Sequence, residues 1–179
     1  MPRPRPGCGG WQTAGVSTTG PLSFLVGTWQ GQGVGAVPGG GGPDYEYSEE
    51  LRFVDDGSEW LAYSTRVIAP HDGSWLHAES GWWRAGQPES DGTVPVEVVI
   101  ARAGGVTEVL VGHVVTGPAG EQIELASDVV ARSPTAHAIT ADHRLYAVRA
   151  GKLMYAIDLA AADSGLAPHL AAALDRADG

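Results

Sequence analysis

The chain has 179 residues, 43% of them hydrophobic, with one cysteine and a formal charge of −10, which fits a single globular domain. The lone Cys8 excludes an intramolecular disulfide and a cysteine-held metal cluster, and the acidic balance with no Lys/Arg cluster argues against a nucleic-acid partner. No apolar run reaches the ~18 residues of a transmembrane helix, so the expected location is cytoplasmic, with no membrane partner.

Residues 1–20, "MPRPRPGCGGWQTAGVSTTG", lack the continuous apolar segment of a secretory signal and read as a flexible tail rich in Pro, Gly and Thr. Residues 21–179 read as one domain. "GTWQGQGVG" at 27–35 opens the first predicted strand, 27–37. Trp29, Gly31, Gly33 and Gly35 share one parity and face one side. The Trp suits a plug at a closed barrel end. The glycines leave a bare wall that either permits a tight bend or lets something flat lie against the backbone, and spacing alone leaves both open.

Further strands are predicted at 44–54, 59–69, 75–85, 94–102, 105–115, 121–131, 136–149, 152–160 and 166–175. Val94, Val96, Val98 and Ile100 alternate with other residues, as do Ile123, Leu125 and Val129, and Leu153, Tyr155, Ile157 and Leu159. Turn signals such as Asp72-Gly73 and Asp91-Gly92 separate the runs. Trp82-Trp83 are adjacent, so one ring faces in and the other faces a dimer surface or solvent. The segment "GLAPHLAAALDR" is ambiguous: Leu166, Leu170 and Leu174 recur every four residues as in a helix, yet a tenth strand closes the sheet onto the first. Ten short-linked antiparallel strands hide their edges best as an up-and-down β-barrel, wide enough for an internal cavity.

Gly27-x-Trp29-x-Gly31-x-Gly33-x-Gly35 is similar to the opening motif of the nitrobindin family, haem-binding ten-stranded β-barrels. The resemblance runs over roughly residues 21–176 and includes "YEYSEELRF", "LHAESGWWR", "GVTEVLVG", "RLYAVRAGKLMYAIDLAA" and the terminal "LAPHLAAALDR". Two departures stand out. The family's Tyr-Pro-Thr loop is here Val37-Pro38-Gly39-Gly40-Gly41-Gly42-Pro43, a run without a side-chain donor. His137 stands where several members carry a Lys near the haem.

Haem iron needs a donor inside an otherwise apolar pocket, and with no cysteine in the domain the candidates are its histidines. There are six. His71 lies in a turn, His113 follows a valine run, His143 has charged neighbours, and His77 precedes Ala78-Glu79 and suits a cross-strand hydrogen bond. His169 follows Pro168, with small residues at 171 and 173 sharing its parity. Residues alone leave it between a ligand and a satisfied side chain. The resemblance implies that His169 is the iron ligand and catalytic centre, with His137, Trp29, Gly31, Gly33 and Gly35 around the cofactor, haem b. Tyr63, Tyr146 and Tyr155 read as core or rim phenols able to donate to a ligand or quench a radical. The adjacent Glu49-Glu50 point to opposite faces and do not form an acid–base pair.

The resemblance further implies a five-coordinate ferric haem that isomerises peroxynitrite to nitrate and binds nitric oxide. The alternative is a metal-free carrier of a fatty acid or other apolar molecule, which the cavity and the Gly-x-Trp start also fit. A nitric oxide sensor acting through a partner is a third class.

Overall fold

The computed structural model describes residues 20–37, 42–118, 120–162 and 164–177. The readings placed on residues 1–19 and 38–41 lie outside the described residues. A short 3-10 helix, Ser23–Leu25, precedes ten strands: β1 (Gly27–Gly35), β2 (Tyr45–Val54), β3 (Leu61–Ile68), β4 (Trp75–Ala85), β5 (Val94–Arg102), β6 (Val106–Gly117), β7 (Gly120–Arg132), β8 (Ile139–Arg149), β9 (Lys152–Ala161) and β10 (Ala167–Arg176). The expected strand boundaries hold to within three residues. Each strand pairs antiparallel with the next, and β10 returns to β1 to close the barrel. Among the described residues, closure leaves no free sheet edge.

The tight connections follow from turn chemistry. At β4–β5, Gly92 adopts φ +85°, a conformation that favours glycine, and Asp91 Oδ1 accepts the Thr93 backbone N–H at 2.9 Å. The ambiguous terminal segment is a strand. Leu170 and Leu174 are four residues apart, which puts them on one face of a strand as well as of a helix, and both are buried. Pairing to β1 and β9 on its two sides settles β10 as extended.

Alternation is interrupted where strands bulge. In β7 the register shifts between Ser127 and Val129. Val129, expected on the inner face with Ile123 and Leu125, therefore points outward and is 51% exposed. One extra residue reverses the parity of everything after it.

The interior is layered. At the β1 start, Trp29 is fully buried and donates its indole N–H to the Leu25 carbonyl at 2.8 Å, so the 3-10 turn and Trp29 plug this end. Trp83 packs edge-on against Phe53 at 5.2 Å and Tyr146 at 5.1 Å. Trp82 faces out, as adjacency requires. Above the aromatic layer lies a layer of buried charge, and above that a cavity. Among the described residues no helix is long and apolar enough to cross a membrane.

Candidate functional site

His169 sits at an irregularity in β10. Pro168 pairs with Asp158 and Leu170 with Ile157, so His169 is the extra residue of a bulge. In a regular strand His169 and Leu170 would face opposite sides. The bulge lets both line the same cavity. The expectation that residues 171 and 173 flank the imidazole on its own face is corrected by this shift: Ala171 and Ala173 are exposed outside the barrel.

The imidazole is fixed from one side. His169 Nδ1–H donates to the Ala36 carbonyl at 2.8 Å, and the Ala36 backbone N–H donates to the His169 carbonyl at 2.7 Å. With Nδ1 engaged as donor, Nε2 keeps its lone pair. Burial lowers the pKa of the half-buried ring, against the opposing pull of the Ala36 carbonyl. The neutral, metal-competent form is thereby favoured.

The cavity has a volume of about 350 Å³, in the range of small-molecule sites. Its apolar wall comes from Val37, Val67, Leu76, Val106, Ile139, Leu159 and Leu170, with Tyr45 beside them. Its polar side chains are His77, His137, His169 and Arg102. Among the described residues no carboxylate lines it. His137 is exposed and sits at the rim.

Behind the cavity lies the charged layer. Arg144 grips Glu79 with two bonds, Nη1 to Oε2 at 2.8 Å and Nη2 to Oε1 at 3.0 Å, and reaches Asp142 through Nε at 2.7 Å. Arg102 donates to Glu108 at 2.9 and 2.7 Å and to Asp142. Burial pushes the Glu79 carboxyl up, but the guanidiniums of Arg144 and Arg102 outweigh it and hold Glu79 well below the usual carboxylate range. Burial raises Glu108 despite Arg102. Glu108 Oε1 and Asp142 Oδ1 have no hydrogen-bond partner among the described residues. His77 Nε2 contacts Glu79 Oε1 at 3.1 Å, joining this layer to the cavity.

The other residues singled out from the sequence separate into two groups. His71 is exposed, and His143 pairs with Glu124 at 2.9 Å on the outside. Trp29, Gly31, Gly33 and Gly35 do not line the cavity. The expected bare wall is corrected: a methyl group on Gly33 would meet the Tyr47 ring at 2.3 Å, and one on Gly35 the Tyr45 ring at 2.4 Å. Gly33 faces Tyr47 and Gly35 faces Tyr45 across β1–β2, so what lies flat against these glycines is tyrosine.

Sequence reasoning missed Arg102 and Arg144 and gave His77 only a structural role. A signal was present. Arg102 continues the parity of Val94 to Ile100, Glu79 shares that of Trp83, and Arg144 that of Tyr146. Charge on the inward parity of three strands marks a buried network rather than a solvated face.

A flat prosthetic group that brings its own four nitrogens needs one axial donor in apolar surroundings. His169, with its tautomer set by Ala36 and apolar walls around it, meets that requirement. Among the described residues no group of three or more His, Cys, Asp or Glu is placed to hold a bare metal ion. Known proteins point to haem as well. The family described as "THAP4-like, heme-binding beta-barrel domain" matches residues 18–176. A "Ferric nitrobindin-like protein" of Kineococcus radiotolerans is 38% identical over 87% of this chain and 91% of its own. A "Peroxynitrite isomerase" of Frankia casuarinae is 40% identical over 87% of this chain and 84% of its own. The crystal structure of Rv2717c from M. tuberculosis superposes with a TM-score of 0.80 at 34% identity, covering 89% of this chain and 96% of that one. The chain belongs to the THAP4-like, heme-binding β-barrel family, whose cofactor is haem.

Proposed function

We propose that this protein isomerises peroxynitrite to nitrate at a haem held by His169, and that the same site takes up nitric oxide. The observation that carries the reading is the His169–Ala36 pair: a neutral imidazole, oriented by a backbone carbonyl at 2.8 Å, at the wall of an apolar cavity. The activity is supported by the Frankia casuarinae and Salinispora arenicola relatives, both named peroxynitrite isomerase, the latter 37% identical. When bound, haem supplies ferric iron as a Lewis acid toward a small anion.

The chain's own residues do the remaining work. The Ala36 carbonyl holds the Nδ1 proton and so keeps Nε2 free to donate. The apolar wall excludes water and keeps small neutral fragments close together. His77, His137 and Arg102 give the cavity its polar lining while the carboxylates stay behind it, so an anion enters a site free of like charge although the whole chain carries −10. His137 at the rim is placed to meet the polar edge of the cofactor.

The test is a hemin titration of wild type and His169→Ala, followed by stopped-flow mixing of the loaded protein with peroxynitrite and quantitation of nitrate. Wild type is expected to bind one equivalent and speed nitrate formation, and the variant to do neither. Stoichiometric binding by His169→Ala with an unchanged Soret band overturns the ligand assignment. No spectral change in wild type, with uptake of a fluorescent fatty acid, supports the metal-free carrier instead.

A further inference from the structure

Three tyrosines run from the cavity wall to a buried carboxylate, Glu49, that does not line the cavity. Tyr45 lines the cavity. Its ring centroid is 6.4 Å from that of Tyr47, within aromatic contact range. The Tyr47 and Tyr155 hydroxyls share a hydrogen bond of 2.6 Å. Tyr155 O–H donates to Glu49 Oε2 at 2.5 Å, and Thr65 O–H donates to Glu49 Oε1 at 2.5 Å. Tyr47, Tyr155 and Glu49 are all buried.

Breaking the O–O bond of peroxynitrous acid yields nitrogen dioxide, a one-electron oxidant. A phenol oxidised at the cavity wall couples with a second nitrogen dioxide and becomes nitrated. The wall is spared if the electron vacancy moves to a phenol whose proton has an acceptor and whose ring the oxidant does not reach. Tyr63 also donates to a carboxylate, Glu79, at 3.0 Å. Glu79, however, is gripped by Arg144 and is a weak proton acceptor. Glu49 contacts no arginine or lysine among the described residues, and its two hydrogen bonds come from hydroxyls.

We propose that Tyr45, Tyr47 and Tyr155 form a route along which a one-electron oxidation arising in the cavity is carried into the barrel and held on Tyr155, with Glu49 receiving its proton. One electron leaves Tyr155 and passes through Tyr47 and Tyr45 to nitrogen dioxide, which becomes nitrite. The Tyr155 O–H bond breaks, and its proton bonds to Glu49 Oε2. The products are a neutral Tyr155 phenoxyl radical, a neutral Glu49 carboxylic acid and nitrite. The role rests on the reading that peroxynitrite is handled in this cavity, whereas the route itself depends only on a one-electron oxidant reaching Tyr45.

The experiment uses the full chain loaded with hemin, loading being verified by absorbance, and treated with peroxynitrite. Freeze-quench electron paramagnetic resonance detects tyrosyl radical, and peptide mass spectrometry measures 3-nitrotyrosine at each position. Wild type is expected to give a tyrosyl signal with little nitration of Tyr45. In Tyr155→Phe and Tyr47→Phe the signal is lost and Tyr45 nitration rises several-fold. Glu49→Gln, which keeps every phenol and removes the proton acceptor, has the same effect and carries the test if a tyrosine variant does not fold. A parallel arm exposes the haem-free chain to nitrogen dioxide generated by a light flash. Variant-dependent nitration there, with no peroxynitrite turnover in the loaded protein, removes the isomerase reading and keeps the route. Equal Tyr45 nitration in wild type and all variants in both arms overturns the route.

Discussion

Tyr47 fills the space that a side chain on Gly33 would need, its Cζ standing 2.3 Å from where a methyl group would lie. The two residues are direct partners across β1–β2, so the glycine gives the ring a flat backbone to lie on. Gly33→Ala is expected to cost about 1–3 kcal/mol through overpacking and to break the Tyr47–Tyr155 hydrogen bond. At Gly31 the nearest atoms are 3.1 Å or more away, the closest being a Leu174 methyl. Gly31→Ala should therefore be the milder change. Urea midpoints of the two variants check this, and equal losses contradict it.

Trp29 belongs to the plug. It is fully buried, bonded to the Leu25 carbonyl at 2.8 Å and covered by the Arg176 guanidinium 4.3 Å from its ring. Trp29→Phe is expected to lower stability by about 1–3 kcal/mol through lost volume and a lost hydrogen bond. The hemin spectrum and stoichiometry of the folded variant should match wild type. A shifted Soret band would place the ring against the cofactor after all.

Arg144 and Arg102 hold the Glu79 carboxyl well below the usual carboxylate range in the folded state, against burial. Its contribution to stability is thus complete above the unfolded pKa and fades as pH falls through the folded one. Glu79→Gln leaves Arg144 without its two-bond partner and should cost about 3–5 kcal/mol at pH 7. The gap to wild type should narrow as pH drops below about 4. Melting temperatures taken from neutral to acid pH measure it. A gap that stays constant contradicts the ion-pair account.

Because His169 sits between the Ala36 carbonyl and the cavity, His169→Gly should empty an imidazole-shaped space without moving the barrel. Free imidazole is expected to restore hemin binding to this variant, while butyrate is not. A titration followed by absorbance reads the rescue. Rescue failing in a variant whose circular dichroism matches wild type argues against His169 as the donor.

Most of the barrel was legible because period-two alternation and Asp-Gly turns are local signals. Val94 to Ile100 and Leu153 to Leu159 read straight onto the inner face. What local pattern does not carry is register. Nothing in "GQGVG" states that Gly33 and Gly35 will face Tyr47 and Tyr45, so the bare backbone reads equally as a bend and as room for a ligand. The extra residues at Asp128 and His169 are equally silent in sequence, and each reverses which side its neighbours face. His169 stands out as the iron donor only through resemblance, since parity alone groups it with Ala171 and Ala173, which lie outside. The buried ions were readable from inward parity, but only once strands from distant segments are known to converge.

β10 is the seam that joins β9 to β1, and it also carries His169. On the ribosome this strand emerges after the other nine. Until it threads into place, the sheet is open and Ala36 has no imidazole to orient. Maturation of the pocket and completion of the cylinder are therefore one event, and a nascent chain stalled before Ala167 has neither the last stave nor the grip.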